Sequence, residues 1–336
     1  MNGLSAFVPA LASTAELIAS DLARVDERFR AQLETPIRPV AELVAHVERY
    51  RGKMLRPTLL LLTSRAADPA LEDPTDEQVT AAAVVEMIHM ATLVHDDVLD
   101  EAEIRRGGDT VNKQRGNEAA VVLGDYLISK SFHLCSTLDD QTVALRVGEV
   151  TSQVCEGEML QLSRRGDLTL GEPLYFEIIR RKTACLIALA CELGARLAHG
   201  DEHIIDAARS YGERIGIAFQ IQDDLLDLVG DEAVVGKSLG KDLEKSKLTL
   251  PLIHHLAALD SAARDSLARR IRDGAIINGQ RLALAQAMER TGSIAYARAA
   301  AHDLIAEAKR DLAAFPDSPA RHALDSIADA VISRAF

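Results

Sequence analysis

The sequence contains no tryptophan, and aromatic residues make up only 4% of its 336 positions. Strands rich in β-branched residues are hard to find, while alanine and leucine abound, so helix formers dominate. Cysteine is scarce as well. Cys135, Cys155, Cys185 and Cys191 contain no CxxC pair, which disfavours a zinc site and reads as small buried residues on helices in a reducing, cytoplasmic setting. No apolar run reaches the ~18 residues needed to span a bilayer. The N-terminus lacks a basic region ahead of its apolar residues, so a soluble protein is expected. Positive charge is in deficit: 38 Lys and Arg stand against 51 Asp and Glu, a net charge of −13. That speaks against nucleic acid as a partner, but not against a diphosphate held by a local basic cluster and a cation.

What is present is helical periodicity. Apolar residues at 48% and charged residues at 26% describe a globular chain long enough for one large core or for two or three domains. Residues 13–34 place Leu17, Ile18, Leu22, Val25 and Phe29 on one side of a helix. Pro36 and Pro39 break it, and a shorter helix follows through Leu43, Val44 and Val47. After the turn ADPALEDPTDEQ, Thr75 or Asp76 is a plausible N-cap for a helix of ~20 residues, about 30 Å long. Further helices are expected over 117–131, with Asp125 buried and in need of a partner, over 142–163, with Glu149, Glu156 and Glu158 on a solvated face, and over 175–197. Beyond Pro251 the chain reads as Ala-rich amphipathic helix, with His254 and His255 at the surface.

The long helix ends in EMIHMATLVHDDVLDEAEIRRG, residues 86–107, where Asp96 and Asp100 lie four residues apart near its C-terminal end. Like charges at that spacing repel, and the negative end of the helix dipole disfavours them further. A counter-ion removes the conflict. Hard oxygen donors without thiolate suit Mg²⁺, which takes one or two carboxylates and fills its shell with phosphate oxygens. The arrangement recurs 127 residues later (223 minus 96), where FQIQDDLLDLVGD carries Asp223, Asp224 and Asp227. One DDxxD alone reads as a solvated helix end; two, each closing an apolar helix and followed by basic residues, do not. RGKMLRP, residues 51–57, sets three cations around Gly52, which would let the backbone approach a diphosphate gripped by Lys53 and Arg56. GDEAVVGKS imitates a P-loop, but five residues separate its glycines and a helix pattern precedes it, so it is rejected.

RGKMLRP, HDDVLDEAEIRRG, RKTA, FQIQDDLLD and GKSLGKDLEKSKLTLP follow one another between about Arg51 and Pro251. In these motifs and their order the chain resembles the trans-prenyl diphosphate synthases, most of all the long-chain polyprenyl synthetases. The resemblance implies an all-α, isoprenoid-synthase-type helical bundle around a central cavity. It implies a single domain over 1–336, a homodimer, and the two aspartate motifs facing each other. It implies head-to-tail condensation of isopentenyl diphosphate with an allylic prenyl diphosphate, with Mg²⁺ on Asp96, Asp100 and Asp223 and with Asp97, Asp224 and Asp227 completing the motifs. Lys53, Arg56, His89 and Arg106 would bind isopentenyl diphosphate. Arg105, Lys182, Thr183, Gln220, Lys237 and Lys247 would bind the allylic diphosphate, Lys182 and Lys237 serving catalysis. The family usually has Gly where Arg51 and Ser246 stand, which leaves the role of Arg51 and the mobility of the basic flap open.

In this family a bulky residue four or five positions before the first aspartate stops chain growth. Ala91 and Thr92 stand there, and each turn further back, past Met87 and Ile88 to Val84 and Val85 and then residues 81–83, adds about 5.4 Å of depth. A heptaprenyl to decaprenyl product is expected, lipophilic enough to be handed to a membrane, with geranylgeranyl as the alternative if Met87 or Phe132 closes the cavity early; a farnesyl product is less expected. A class I terpene cyclase is the rival within the fold, but would have no use for Lys53, Arg56 and His89. A non-catalytic partner subunit is the rival outside it, but could have lost its acids.

Overall fold

The computed structural model of the chain describes residues 7–48, 52, 54–230, 239–272 and 280–333, with side chains from residue 17 onward. Its first helix, α1 (Phe7–Leu33), kinks at Ile18 and is followed by α2 (Arg38–Val47), with Pro near its first turn, and α3 (Leu55–Ala67). The central helix is α4 (Asp76–Leu99). Thr75 caps it as expected: its hydroxyl accepts the Gln78 N–H while the Gln78 side chain accepts the Thr75 N–H, which satisfies two otherwise orphaned donors. Residues 78–88 are buried on every side of the helix, the mark of an element enclosed by others. Packed around it are α1, α3, α6 (Asn117–Cys135) and α9 (Cys185–Leu197). The short helix α5 (Val111–Arg115) precedes α6, and α7 (Gln141–Ser163) follows it.

The expected helix over 175–197 is interrupted. α8 (Glu172–Ile179) passes into a π-helical turn, Arg180–Ala184, before α9 begins. Next comes α10 (Glu202–Val229), which carries the second aspartate motif and packs on α9. Gly212 and Gly216 make that contact close, since a Cβ on either would come within 2.7 Å of the Cα of Ala188 or Ala184. Beyond α10 lie α11 (Lys241–Glu244), α12 (Leu250–Ala258), α13 (Ser261–Arg272), α14 (Arg281–Arg290), α15 (Ser293–Asp311) and α16 (Pro319–Ile332). Among the described residues the strands are a two-residue hairpin, β1 (Ile104–Arg105) and β2 (Gly108–Asp109). One contiguous apolar core runs from Ile18 to Val331.

Three expectations are corrected. Cys135, Cys185 and Cys191 are buried, but Cys155 is exposed on α7. Asp125 is not buried: its side chain is 68% exposed, with His95 Nε2 3.6 Å away. His255 is not at the surface; it is 3% exposed and its Nδ1 lies 2.8 Å from Thr291 Oγ1.

Candidate active site

The end of α4 assembles the first group of charges. Asp97 is turned inward and takes the Arg105 guanidinium on one oxygen, Nε to Oδ1 2.7 Å, while its buried Oδ2 has no hydrogen-bond partner among the described residues. Arg105 therefore faces Asp97, and the next residue faces away. The hairpin turns at Arg106 and Gly107, with φ of 51° and 78°, the paired left-handed conformation of a tight two-residue turn. Arg106 lies against Gly52, where an added Cβ would meet its guanidinium at 2.5–2.9 Å. Gly52 thus makes room for the Arg106 guanidinium. Beyond Arg106 stand Arg56 of α3 and His89 of α4. Burial and the positive charge of Arg56 and Arg106 hold the His89 imidazole well below its ordinary pKa, and so neutral. Lys53 and Lys237 lie outside the described residues.

Asp96 points toward α7 and the π-helical turn. Lys182 Nζ lies 3.8 Å from Asp96 Oδ1 and is ion-paired with Glu158 of α7. Burial raises the Asp96 carboxyl pKa, with Lys182 opposing. Gly157 brings α7 this near, because a Cβ there would sit 2.6 Å from the Lys182 backbone nitrogen. Glu158 is the residue that sequence reasoning missed, having been placed on a solvated face. Asp100, the C-cap of α4, meets cations from another quarter: Lys245 Nζ at 2.6 Å and Lys247 Nζ at 3.5 Å from the same oxygen.

The second motif is held by neutral donors. Asp224 is buried and accepts the Tyr175 hydroxyl at 2.7 Å and the Gln220 amide at 2.9 Å, while Gln220 accepts the Thr183 hydroxyl at 3.0 Å. Burial, then repulsion from Asp242, pushes the Asp224 carboxyl well above its ordinary pKa. Asp227 accepts the backbone N–H groups of Lys241 and Asp242 at 3.3 and 3.1 Å, and so anchors α11. Asp223 is the half-buried member. A cavity opens here, lined by Lys182, Thr183, Gln220, Asp224 and Lys247 together with Gln161 of α7. Ala91 and Thr92 are absent from its lining. Met87 and Ala91 are fully buried, whereas Phe132 is 38% exposed, turned out of the bundle rather than across a cavity.

Residues 38–283 match the sequence pattern of the family described as Polyprenyl synthetase. That span holds every motif discussed here and covers well over half of the chain. The chain belongs to the polyprenyl synthetase family. It is a prenyltransferase of isoprenoid synthesis, lengthening prenyl chains. An octaprenyl diphosphate synthase of Escherichia coli is 34% identical over 95% of this chain and 97% of its own length. A short chain isoprenyl diphosphate synthase of Methanothermobacter thermautotrophicus is 38% identical over 92% and 95%. The crystal structure of a polyprenyl synthase of Caulobacter crescentus, complexed with calcium and isoprenyl diphosphate, superposes with a TM-score of 0.90 at 32% identity, covering 97% of this chain and 98% of that one.

The residues present suit a divalent cation. Both motifs offer carboxylate oxygens alone, and the buried Asp97 Oδ2 has no hydrogen-bond partner among the described residues. Among the described residues no three acidic, histidine or cysteine side chains gather closely enough to hold an ion unaided. No helix among the described residues is long and apolar enough to cross a membrane.

Proposed function

We propose that the chain condenses isopentenyl diphosphate with an allylic prenyl diphosphate in the presence of Mg²⁺. The observation that carries the reading is the segment after the second motif. Anchored by Asp227 at Lys241 and Asp242, it sets Lys247 both into the cavity beside Asp224 and within 3.5 Å of Asp100 of the first motif. Lys182 and Lys247 face the allylic diphosphate, and Lys237 is assigned to the same group. As the allylic carbon–oxygen bond breaks, negative charge grows on the departing diphosphate, where fixed cations stabilise it most. Mg²⁺ bound by Asp96, Asp100 and Asp223 supplies further positive charge there. Arg56, His89 and Arg106, with Lys53, hold isopentenyl diphosphate so that its double bond attacks the cation. A neutral His89 among arginines can orient a diphosphate oxygen without adding to their mutual repulsion. Arg105, restrained by Asp97, completes the allylic side, and the released diphosphate takes the proton.

Two further readings belong here. The described helices form one polyprenyl synthetase domain, supported by their single apolar core. The chain is a homodimer, supported by Val121 and Val122 of α6 and Leu145 and Met159 of α7, large apolar side chains left 42–67% exposed on the outer face of the bundle, where a second copy would cover them.

The product is a long all-trans chain. The buried small residue Ala91 precedes Asp96, Phe132 is exposed, and the Escherichia coli relative is named for an octaprenyl product. The test is to incubate the protein with farnesyl diphosphate, isopentenyl diphosphate and Mg²⁺ and to size the product by chromatography. A product beyond geranylgeranyl is expected, and Ala91→Phe should shorten it, since a packed channel cannot relax around a phenyl ring. A wild-type product that stops at farnesyl or geranylgeranyl diphosphate, or a long product unchanged by Ala91→Phe, defeats the length reading.

A further inference from the structure

Asp100 occupies an unfavourable position, at the negative end of the α4 dipole and one turn from Asp96, so a cation must stand beside it. Two lysines do. Lys247 shares its ammonium between Asp100 and Asp242 and also lines the cavity, as a residue that handles diphosphate should. Lys245 is placed differently. Its Nζ lies 2.6 Å from Asp100 Oδ1, it is absent from the cavity lining, and its one ion pair among the described residues is with Asp100.

The turn that delivers Lys245 is built for that contact. Ser246, between the two lysines, takes a left-handed φ of 53°, a conformation that disfavours any residue with a side chain. The turn is nonetheless pinned. The Ser246 N–H donates to the Leu243 carbonyl at 3.0 Å, the Lys247 N–H donates to the Asp242 carbonyl at 2.8 Å, and the Ser246 carbonyl accepts the Gly166 N–H at 3.2 Å. Upstream, the Asp227 carboxylate holds the N–H groups of Lys241 and Asp242. The backbone is therefore fixed, and the freedom that remains lies in the four-carbon stem of the lysine. An ammonium on such a stem is a compact, replaceable point charge.

We propose that Lys245 is the resident counter-ion of Asp100, displaced when a divalent cation binds, and that it thereby sets the cation concentration at which the enzyme works. The inference rests on the reading of Asp100 as a cation ligand. Lys245 is a positioning residue: it keeps the Asp100 carboxylate ordered in the free protein, and it weakens divalent cation binding by having to leave. A partly exposed ion pair of this kind is worth a factor of about two to five in an equilibrium.

The test uses the full-length protein with inorganic diphosphate, which supplies the oxygens that the carboxylates alone do not, and Mn²⁺, whose free concentration is read from its electron paramagnetic resonance signal at fixed ionic strength against a protein-free blank with the same diphosphate. In parallel, the Mg²⁺ concentration giving half-maximal turnover is measured. Lys245→Ala should bind Mn²⁺ about two- to five-fold more tightly and lower the Mg²⁺ requirement by a similar factor, and Lys245→Arg should match wild type. Asp100→Asn should weaken Mn²⁺ binding and abolish the gain from Lys245→Ala in the double variant. The inference alone is overturned if Asp100→Asn weakens Mn²⁺ binding but Lys245→Ala leaves it unchanged or weaker, or if the gain survives in the double variant. Mn²⁺ binding unchanged in Asp100→Asn would overturn the assignment of Asp100 itself, and the inference with it.

Discussion

The two aspartate motifs have the same DDxxD spacing and opposite surroundings. Around Asp96, Asp97 and Asp100 the partners are long, charged side chains: Lys182, Arg105, Lys245 and Lys247. Around Asp224 and Asp227 they are a tyrosine hydroxyl, an amide and two backbone N–H groups. Flexible cations can be exchanged for a ligand at modest cost, whereas neutral donors fixed in a helix scaffold cannot move away. The first motif is thus the exchangeable half of the site, and the second, apart from half-buried Asp223, is the fixed half.

The sharpest way to break that comparison is to remove the half-buried acids assigned to the cation, one from each motif. Asp96→Ala or Asp223→Ala should lower turnover at least ~100-fold, the scale of deleting one preorganised charge-stabilising group, with the unfolding midpoint close to wild type. Near-normal turnover in both variants, measured at saturating substrates, would show that the motifs do not act as described. A smaller effect of another kind is expected at Asp227. Asp227→Ala leaves two N–H groups of α11 without their carboxylate and should cost about 1–3 kcal/mol of stability as well as activity. Denaturant unfolding decides it: if Asp227→Ala unfolds with Asp96→Ala, the contrast between a fixed and an exchangeable half disappears.

The smallest effect is the most diagnostic. Because His89 is neutral, His89→Gln should keep the isopentenyl diphosphate KM within about three-fold, while His89→Ala should raise it about ten-fold through loss of one hydrogen bond to a charged ligand. The pH dependence has a definite sign. With the folded pKa below the unfolded value of about 6.5, the unfolded chain binds the extra proton in that window, so stability falls as pH drops below about 6.5. In His89→Gln that component of the acid-side slope should vanish. A slope identical to wild type in thermal unfolding across that range would mean the imidazole is not held neutral.

Much of this was legible in the chain itself. The capping box at Thr75 and the apolar residues after it announce α4, and the abrupt carboxylates at its end announce a cation. What was not legible depends on contacts between distant segments. Glu158 sits between exposed Glu156 and Met159 and reads as one more solvated acid; only the approach of α7 to the π-helical turn gives it Lys182. Asp125 was expected inside because it stands in the middle of a helix that reads as core, yet Val121 and Val122 of the same helix face outward. His255 was expected outside because no local pattern reveals that α12 is covered by α15. Lys245 reads as part of a basic flap, and its pairing with Asp100 follows from a turn at Ser246 that the sequence disguises, since Ser is an unfavourable choice there.

The π-helical turn at Arg180–Ala184 has a consequence for how this protein can change. An α-helix advances about 100° per residue, so the extra residue in that turn rotates everything before it, relative to everything after it, by roughly one position. Lys182 and Thr183 lie inside that phase shift, one meeting Glu158 and Asp96, the other Gln220. Deleting a single residue there would yield a more regular helix and a better-satisfied backbone ladder, but would swing the lysine out of register with both of its acids. The irregularity is therefore a point where length is under constraint as well as the identity of Lys182 and Thr183: the loss or gain of one position would part the lysine from both acids at once.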